Sequence, residues 1–311
     1  MRIMRVNTLL SVLLFIFTIV SLPACKSKNK DKRKRGVSGL LHREKPGKGF
    51  FKRKRFKRDG KRASKLKIVT WNIQHMGGSK DKQELTFMAK LIQSADIVAI
   101  QEVVTSPKGR KAVQRLDAIL DSLSGTQWNY KISPETSGRG SERYAFLYKP
   151  SKVRLKKAWL DQSIESEVDR EPYIGRFRAK GHSKDFLVAS FHAVPTKKKP
   201  AREIRLLDRI ARKYKRSRMF FMGDFNLSQK HRAFQGLKRM GYAPVLVKQK
   251  TSIKMRRRGR EHLAHEYDNI FYSRNLKVLQ SGVMDFSRRF RKLKTARKIS
   301  DHIPVFAIFR P

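Results

Sequence analysis

Apolar and polar positions change rhythm twice along the chain. Leu9 to Leu22 is almost unbroken Leu, Val, Ile and Phe, whereas no apolar period of 2 or 3.6 persists between residues 26 and 65. From Leu66 onward, short apolar runs alternate with stretches of helical period. Leu66–Trp71 reads as a strand. Gln83–Gln93 places Leu85, Met88, Ala89 and Ile92 on one helix face, and Ala95–Gln101 reads as a buried strand. Further strands are predicted at Arg143–Tyr148, Phe186–Phe191, Met219–Met222, Tyr267–Tyr272 and Val305–Phe309, with helices at 110–123, 201–214 and 231–240. Residues 66–311 therefore form a predicted α/β domain without an internal repeat, preceded by two segments of different character.

Composition sharpens this division. The 311 residues carry 74 Lys and Arg against 25 Asp and Glu, a net charge of +49, and one cysteine. A disulfide scaffold is excluded, and the recurring apolar runs exclude a wholly disordered chain. Of these charges, 21 basic and three acidic residues fall in residues 1–65, which leaves 53 against 22, or +31, on the domain itself. Such an excess points to polyanionic partners: nucleic acid, anionic lipid or acidic glycans.

Arg2 and Arg5 followed by the Leu9–Leu22 run have the form of a secretory signal peptide, shorter than a membrane span requires. It ends in Leu22-Pro23-Ala24-Cys25, which resembles a bacterial lipobox. Cys25 would then be lipidated and the product held at a membrane; an ordinary signal peptide would give a freely secreted one. Residues 26–65 contain 19 Lys and Arg, including Lys32-Arg33-Lys34-Arg35 and Lys52-Arg53-Lys54-Arg55. They read as a disordered basic tether, either a spacer or an arm that captures polyanions, with Phe50, Phe51 and Phe56 available to stack on bases or enter headgroups.

The chemistry gathers at strand ends. Asn72 and Gln74 follow the first strand, Glu102 the next, and His192 ends Ser190-Phe191-His192. Asp224 and Asn226 lie in Gly223-Asp224-Phe225-Asn226, Asp268 in Tyr267-Asp268, and Asp301-His302 precedes the last strand. Any one of these is ordinary turn or cap chemistry. Six together in an α/β chain point to one crevice.

Residues 66–311 resemble the endonuclease/exonuclease/phosphatase superfamily, in its deoxyribonuclease I-like branch. The resemblance rests on Trp71-Asn72-Ile73-Gln74, Ile100-Gln101-Glu102-Val103, Glu142-Arg143-Tyr144, Arg170-Glu171-Pro172, Phe191-His192, Gly223-Asp224-Phe225-Asn226, Tyr267-Asp268 and Ser300-Asp301-His302-Ile303-Pro304, in that order. It implies a four-layer sandwich of two packed β-sheets flanked by helices, with the site at one edge. It also implies that Glu102, Asn72 and Asp301 hold Mg²⁺ or Mn²⁺ and that Asp224 and Asn226 orient water and a phosphate oxygen. His192 and His302 would be the acid–base pair, oriented by Glu142 and Asp268, and Arg170 and Arg143 would bind substrate. Hard oxygen ligands and near-neutral imidazoles suit that chemistry.

Two departures accompany the resemblance. Gly140 and Val104 stand where deoxyribonuclease I carries a minor-groove tyrosine and arginine. Lys197-Lys198-Lys199, the expected loop Lys248–Arg260 and Arg288–Lys298 are basic segments able to replace those contacts, or simply solvated faces. The reading is thus a secreted or lipid-anchored, metal-dependent, monomeric endonuclease cutting DNA with little sequence preference, RNA remaining open. The alternatives are a phosphatase or phospholipase of the same fold acting on anionic headgroups, and a non-catalytic surface protein that binds DNA.

Overall fold

The computed structural model describes residues 64–311; the expected leader, Cys25 and the basic segment through residue 63 lie outside the described residues. The described chain opens with β1 (Leu66–Met76), α1 (Lys82–Ile92), β2 (Ile97–Val103), α2 (Pro107–Ser124), β3 (Asn129–Ile132) and β4 (Arg143–Tyr148). It continues through β5 (Val153–Leu160), β6 (Tyr173–Ala179), β7 (Asp185–His192), α3 (Ala201–Lys213), β8 (Arg218–Asp224), α4 (Gln235–Arg239) and β9 (Tyr242–Pro244). The last elements are β10 (Ile253–Arg258), β11 (Glu261–Leu263), β12 (Asp268–Ser273), β13 (Lys277–Val283), α5 (Leu293–Ile299) and β14 (Val305–Arg310).

Two six-stranded sheets result, ordered β13-β14-β1-β2-β4-β3 and β5-β6-β7-β8-β12-β9. In each, one adjacent pair is parallel, β1 with β2 and β7 with β8, and every other pairing is antiparallel. A parallel pair needs a crossover, which α1 supplies in the first sheet and α3 in the second. Asp81 starts α1 with a reciprocal capping box to Glu84.

Strand alternation builds three cores. Leu66, Ile68, Ile97, Phe146, Phe177, Phe186, Phe220 and Phe309 point between the sheets. Val69, Trp71, Val98 and Ile100, the intervening positions of β1 and β2, face α1 and α2. Ile174, Leu187, Ala189, Phe191 and Phe221 face α3 and α4. Period-2 residues on both faces are buried, so the central strands read as continuous apolar runs. This is the four-layer sandwich expected from sequence. One polar bridge crosses the middle layer: Gln101 Nε2 donates to Thr70 Oγ1 at 3.1 Å and to Ser190 Oγ at 2.7 Å.

Some local expectations are corrected. The helix at 231–240 is a 3₁₀ turn at Arg232–Phe234 followed by the short α4. The expected loop 248–260 contains β10, which pairs with β11 as a hairpin, and part of Arg288–Lys298 forms α5. Strands β3, β5, β6, β9, β11 and β13 were not anticipated. No helix among the described residues is long and apolar enough to cross a membrane.

Candidate active site

The site lies where strands of both sheets end together. In the second sheet the register places His192 of β7 opposite Asp224 of β8, and Asp224 opposite Asp268 of β12. Three chemically active side chains thus stand in one row across adjacent strands. Gly223 makes that row possible: its φ is 146°, and a Cβ there would lie 1.9 Å from the Phe191 carbonyl oxygen. The first sheet brings Asn72 and Glu102 from the ends of β1 and β2, and Glu142 from the residue before β4. The turn before β14 supplies Asp301 and His302. Asn72, Glu102, Glu142, Arg170, His192, Asp224, Asn226, Asp301 and His302 all line one cleft of about 530 Å³.

Two imidazole–carboxylate pairs cross from sheet to sheet. Glu142 Oε2 holds His192 Nδ1 at 2.8 Å, and Asp268 Oδ2 holds His302 Nδ1 at 2.7 Å. In each pair the other ring nitrogen, Nε2, lies 3.6 Å from Asp224 Oδ2. Asp224 is therefore the common neighbour of both rings. Its Oδ1 accepts the Asn226 backbone N–H at 2.8 Å, and the Asn226 amide donates to the Ala193 carbonyl at 3.0 Å.

Burial alone would lower both histidines. In His192 the Glu142 carboxylate, with Asp224, outweighs it and the pKa rises. In His302 Asp268 and Asp224 raise it well above the ordinary imidazole value. Burial pushes Asp268 upward, and neighbouring Asp224 adds to that, while His302 pulls it down.

The oxygen-rich side of the cleft is held separately. Asn72 Nδ2 donates to Glu102 Oε1 at 2.9 Å and to Asp224 Oδ2 at 3.1 Å, which leaves the buried Asn72 Oδ1 without a partner. An orphaned buried oxygen beside a carboxylate is the donor set that a hard divalent cation takes. Asn72 and Glu102 thus fit Mg²⁺ or Mn²⁺. Asp301 also lines the cleft, but its Oδ2 pairs with Arg297 at 3.3 Å. A second grouping, Asp224, Asp268 and His302, brings one ligand atom from each within 4.8 Å of the others. Glu102, His75 and Asn226 have φ of 61°, 52° and 48°, so three of the five non-glycine left-handed residues among those described cluster here. Backbone strain of this kind costs about 1–3 kcal/mol per residue and persists where the surroundings over-determine it.

The two arginines fare differently. Arg170 is partly buried, with Nε 2.9 Å from Glu142 Oε2 and from the Gly140 carbonyl, and its buried Nη1 has no partner. Arg143 does not line the cleft: its guanidinium reaches the Thr105 and Ser133 carbonyls and Glu135. Successive residues entering a strand face opposite ways, so Glu142 inside puts Arg143 outside.

Several supports were absent from the sequence reading. Ser300 Oγ donates to the Asn72 carbonyl at 2.6 Å and accepts the His302 N–H at 3.0 Å, while Trp71 Nε1 donates to the His302 carbonyl at 2.8 Å. Thr251 Oγ1 donates to Asp268 Oδ2 at 2.6 Å. Glu203 of α3 accepts the Asp169 and Val194 N–H groups at 2.8 and 2.7 Å, tying together the chain next to Arg170 and the chain after His192. Ser300 and Trp71 carried a signal, their places in the Ser300-Asp301-His302 and Trp71-Asn72-Ile73-Gln74 motifs.

Comparison with known proteins agrees with this geometry. The chain is 27% identical over 266 residues to a deoxyribonuclease of Thioalkalivibrio sp. (strain K90mix), covering 78% of this chain and 71% of that protein. It is 27% identical over 271 residues to deoxyribonuclease gamma of Rattus norvegicus, covering 78% and 84%. The structure of a mannosyl-6-phosphatase from Bacteroides thetaiotaomicron VPI-5482 superposes with a TM-score of 0.58 at 20% identity, covering 78% of this chain and 98% of that one. Residues 69–302 match the Endonuclease/Exonuclease/phosphatase family, and with its fold and cleft the chain belongs to that family.

Proposed function

We propose that the protein is a metal-dependent endonuclease that hydrolyses DNA phosphodiester bonds with little sequence preference. We further propose that it is exported and anchored to a membrane through lipidated Cys25. The observation that carries the nuclease reading is the convergence of His192 and His302 on Asp224, each ring fixed from behind by its own carboxylate. The deoxyribonucleases among its relatives, and the +31 charge of the domain, favour DNA as the substrate.

Phosphodiester hydrolysis needs an oriented water, charge neutralisation on the phosphoryl group and a proton for the leaving oxygen. A cation at Asn72 and Glu102 would supply the neutralisation. Because Glu142 and Asp268 occupy the Nδ1 atoms, both reactive Nε2 atoms are turned into the cleft. One Nε2 can take a proton from water while the other gives one to the leaving oxygen. Asp224 and Asn226 orient the water and a phosphate oxygen, and Arg170, which lines the cleft, places positive charge beside a second one.

The test is digestion of supercoiled plasmid by the purified protein with Mg²⁺ or Mn²⁺, beside EDTA and Asp224→Ala controls. Nicking that needs metal and disappears in the variant is expected. Plasmid that is retarded in the gel but left intact would overturn the nuclease reading; anionic lipid phosphoesters would then be the substrates to try.

A further inference from the structure

Beside His302 a second hollow of about 1040 Å³ opens and shares Asn226, Asp301 and His302 with the catalytic cleft. Its outer wall is β10, which contributes Lys254, Arg256, Arg257 and Arg258, and Lys250 and Arg297 complete the basic lining. The sole acid in that lining, Asp301, pairs with Arg297. Arg297 also donates to the Ile253 carbonyl, which joins the hairpin to the turn that carries His302.

The hollow also contains flat surfaces. The His265 ring stacks on Tyr267 at 4.7 Å and 14°, and Tyr267 lies 6.4 Å and 26° from His302. Three rings thus run in a row from the hollow to a catalytic imidazole. The row is fixed from outside: the Tyr267 hydroxyl is 2.9 Å from Thr196 Oγ1, and the His265 N–H and carbonyl bond to Ser252 and Thr251. The His265 side chain itself is exposed. Met255, between this hollow and a second basic one beside α5, is 73% exposed.

A cationic wall beside an open ring face suits a polyanion that carries flat apolar rings. In a duplex each base face is already covered by its neighbours, so the His265 ring can stack only on a base that has left the helix. We propose that the hollow seats an unpaired DNA strand: its phosphates follow Arg256 and Arg258, a base stacks on His265, and the strand enters the cleft past His302. The proposal rests on the nuclease reading and adds to it a preference for single-stranded or locally opened DNA.

The test measures binding apart from cleavage. Fluorescence anisotropy in EDTA compares one oligonucleotide as a single strand and as a duplex, on wild-type protein, His265→Ala and Arg256→Ser/Arg258→Ser, with thermal melting confirming that each variant is folded. Wild type should bind the single strand more tightly. His265→Ala should weaken single-strand binding about tenfold, the loss of one stacked base, and leave duplex binding nearly unchanged. The double arginine variant should lower the single-strand salt slope by about 1.4, at ~0.7 per phosphate contact. Duplex binding as tight as single-strand binding in wild type, or a His265→Ala loss shared equally by both forms, would overturn the proposal. Because no cleavage is needed, an inactive protein that still shows the His265-dependent preference counts against the nuclease reading alone.

Discussion

The pairs Glu142–His192 and Asp268–His302 use the same chemistry at nearly the same distance, yet their surroundings differ. Glu142 is compensated three times, by His192, by the Arg170 guanidinium and by the Glu102 backbone N–H, which donates at 3.1 Å. Asp268 has His302 and the Thr251 hydroxyl, and faces a second carboxylate, Asp224. The first pair is balanced by a permanent cation. The second obtains its positive charge only from its own imidazole. One side of the cleft is therefore set chiefly by ion pairing, and the other by its protonation.

The largest effects should come from the rings themselves. His192→Ala and His302→Ala should each lower turnover by about 10²–10⁴-fold with DNA affinity almost unchanged. An affinity loss as large as the rate loss would make them structural residues. Next come the carboxylates, where the two sides should separate. Glu142→Gln leaves the Arg170 guanidinium buried and uncompensated, which costs about 3–5 kcal/mol in urea denaturation. Asp268→Asn also removes a repulsion with Asp224, so its cost should be about 1–3 kcal/mol. The reverse order would overturn the contrast.

A smaller effect should appear in the pH dependence of the metal-free protein. A folded-state pKa raised above the unfolded value gives stability that is complete below about 6.5 and declines as pH rises through the raised value. Both histidines act in this direction, His302 more strongly, so melting temperature in EDTA should fall from about pH 6.5 upward. His302→Gln should flatten the fall more than His192→Gln. The smallest change, Thr251→Val, should cost about 1–2 kcal/mol by removing one buried hydrogen bond to Asp268.

The central strands were legible because both faces are buried and their apolar runs are unbroken, as in β1, β2, β7 and β8. The strands missed lie mostly at sheet edges. Val153–Leu160 and Asn129–Ile132 carry lysine and half-exposed positions that break the period, and β10 ends in exposed residues and a run of arginines with no alternation. The reactive residues were visible because six polar strand ends recur in one α/β chain, more than turn and cap chemistry accounts for. Arg143 stands outside the cleft since neighbours in sequence become opposites on a strand. Thr251 and Glu203 were invisible because each acts across the fold, over separations that leave no mark on the local pattern.

Each imidazole–carboxylate pair takes one member from either sheet: Glu142 and His302 adjoin the first, His192 and Asp268 belong to the second. A chain with only one sheet assembled holds half of both pairs and completes neither. The acid–base chemistry of the cleft therefore appears only when the two sheets close on each other, all at once and not by degrees.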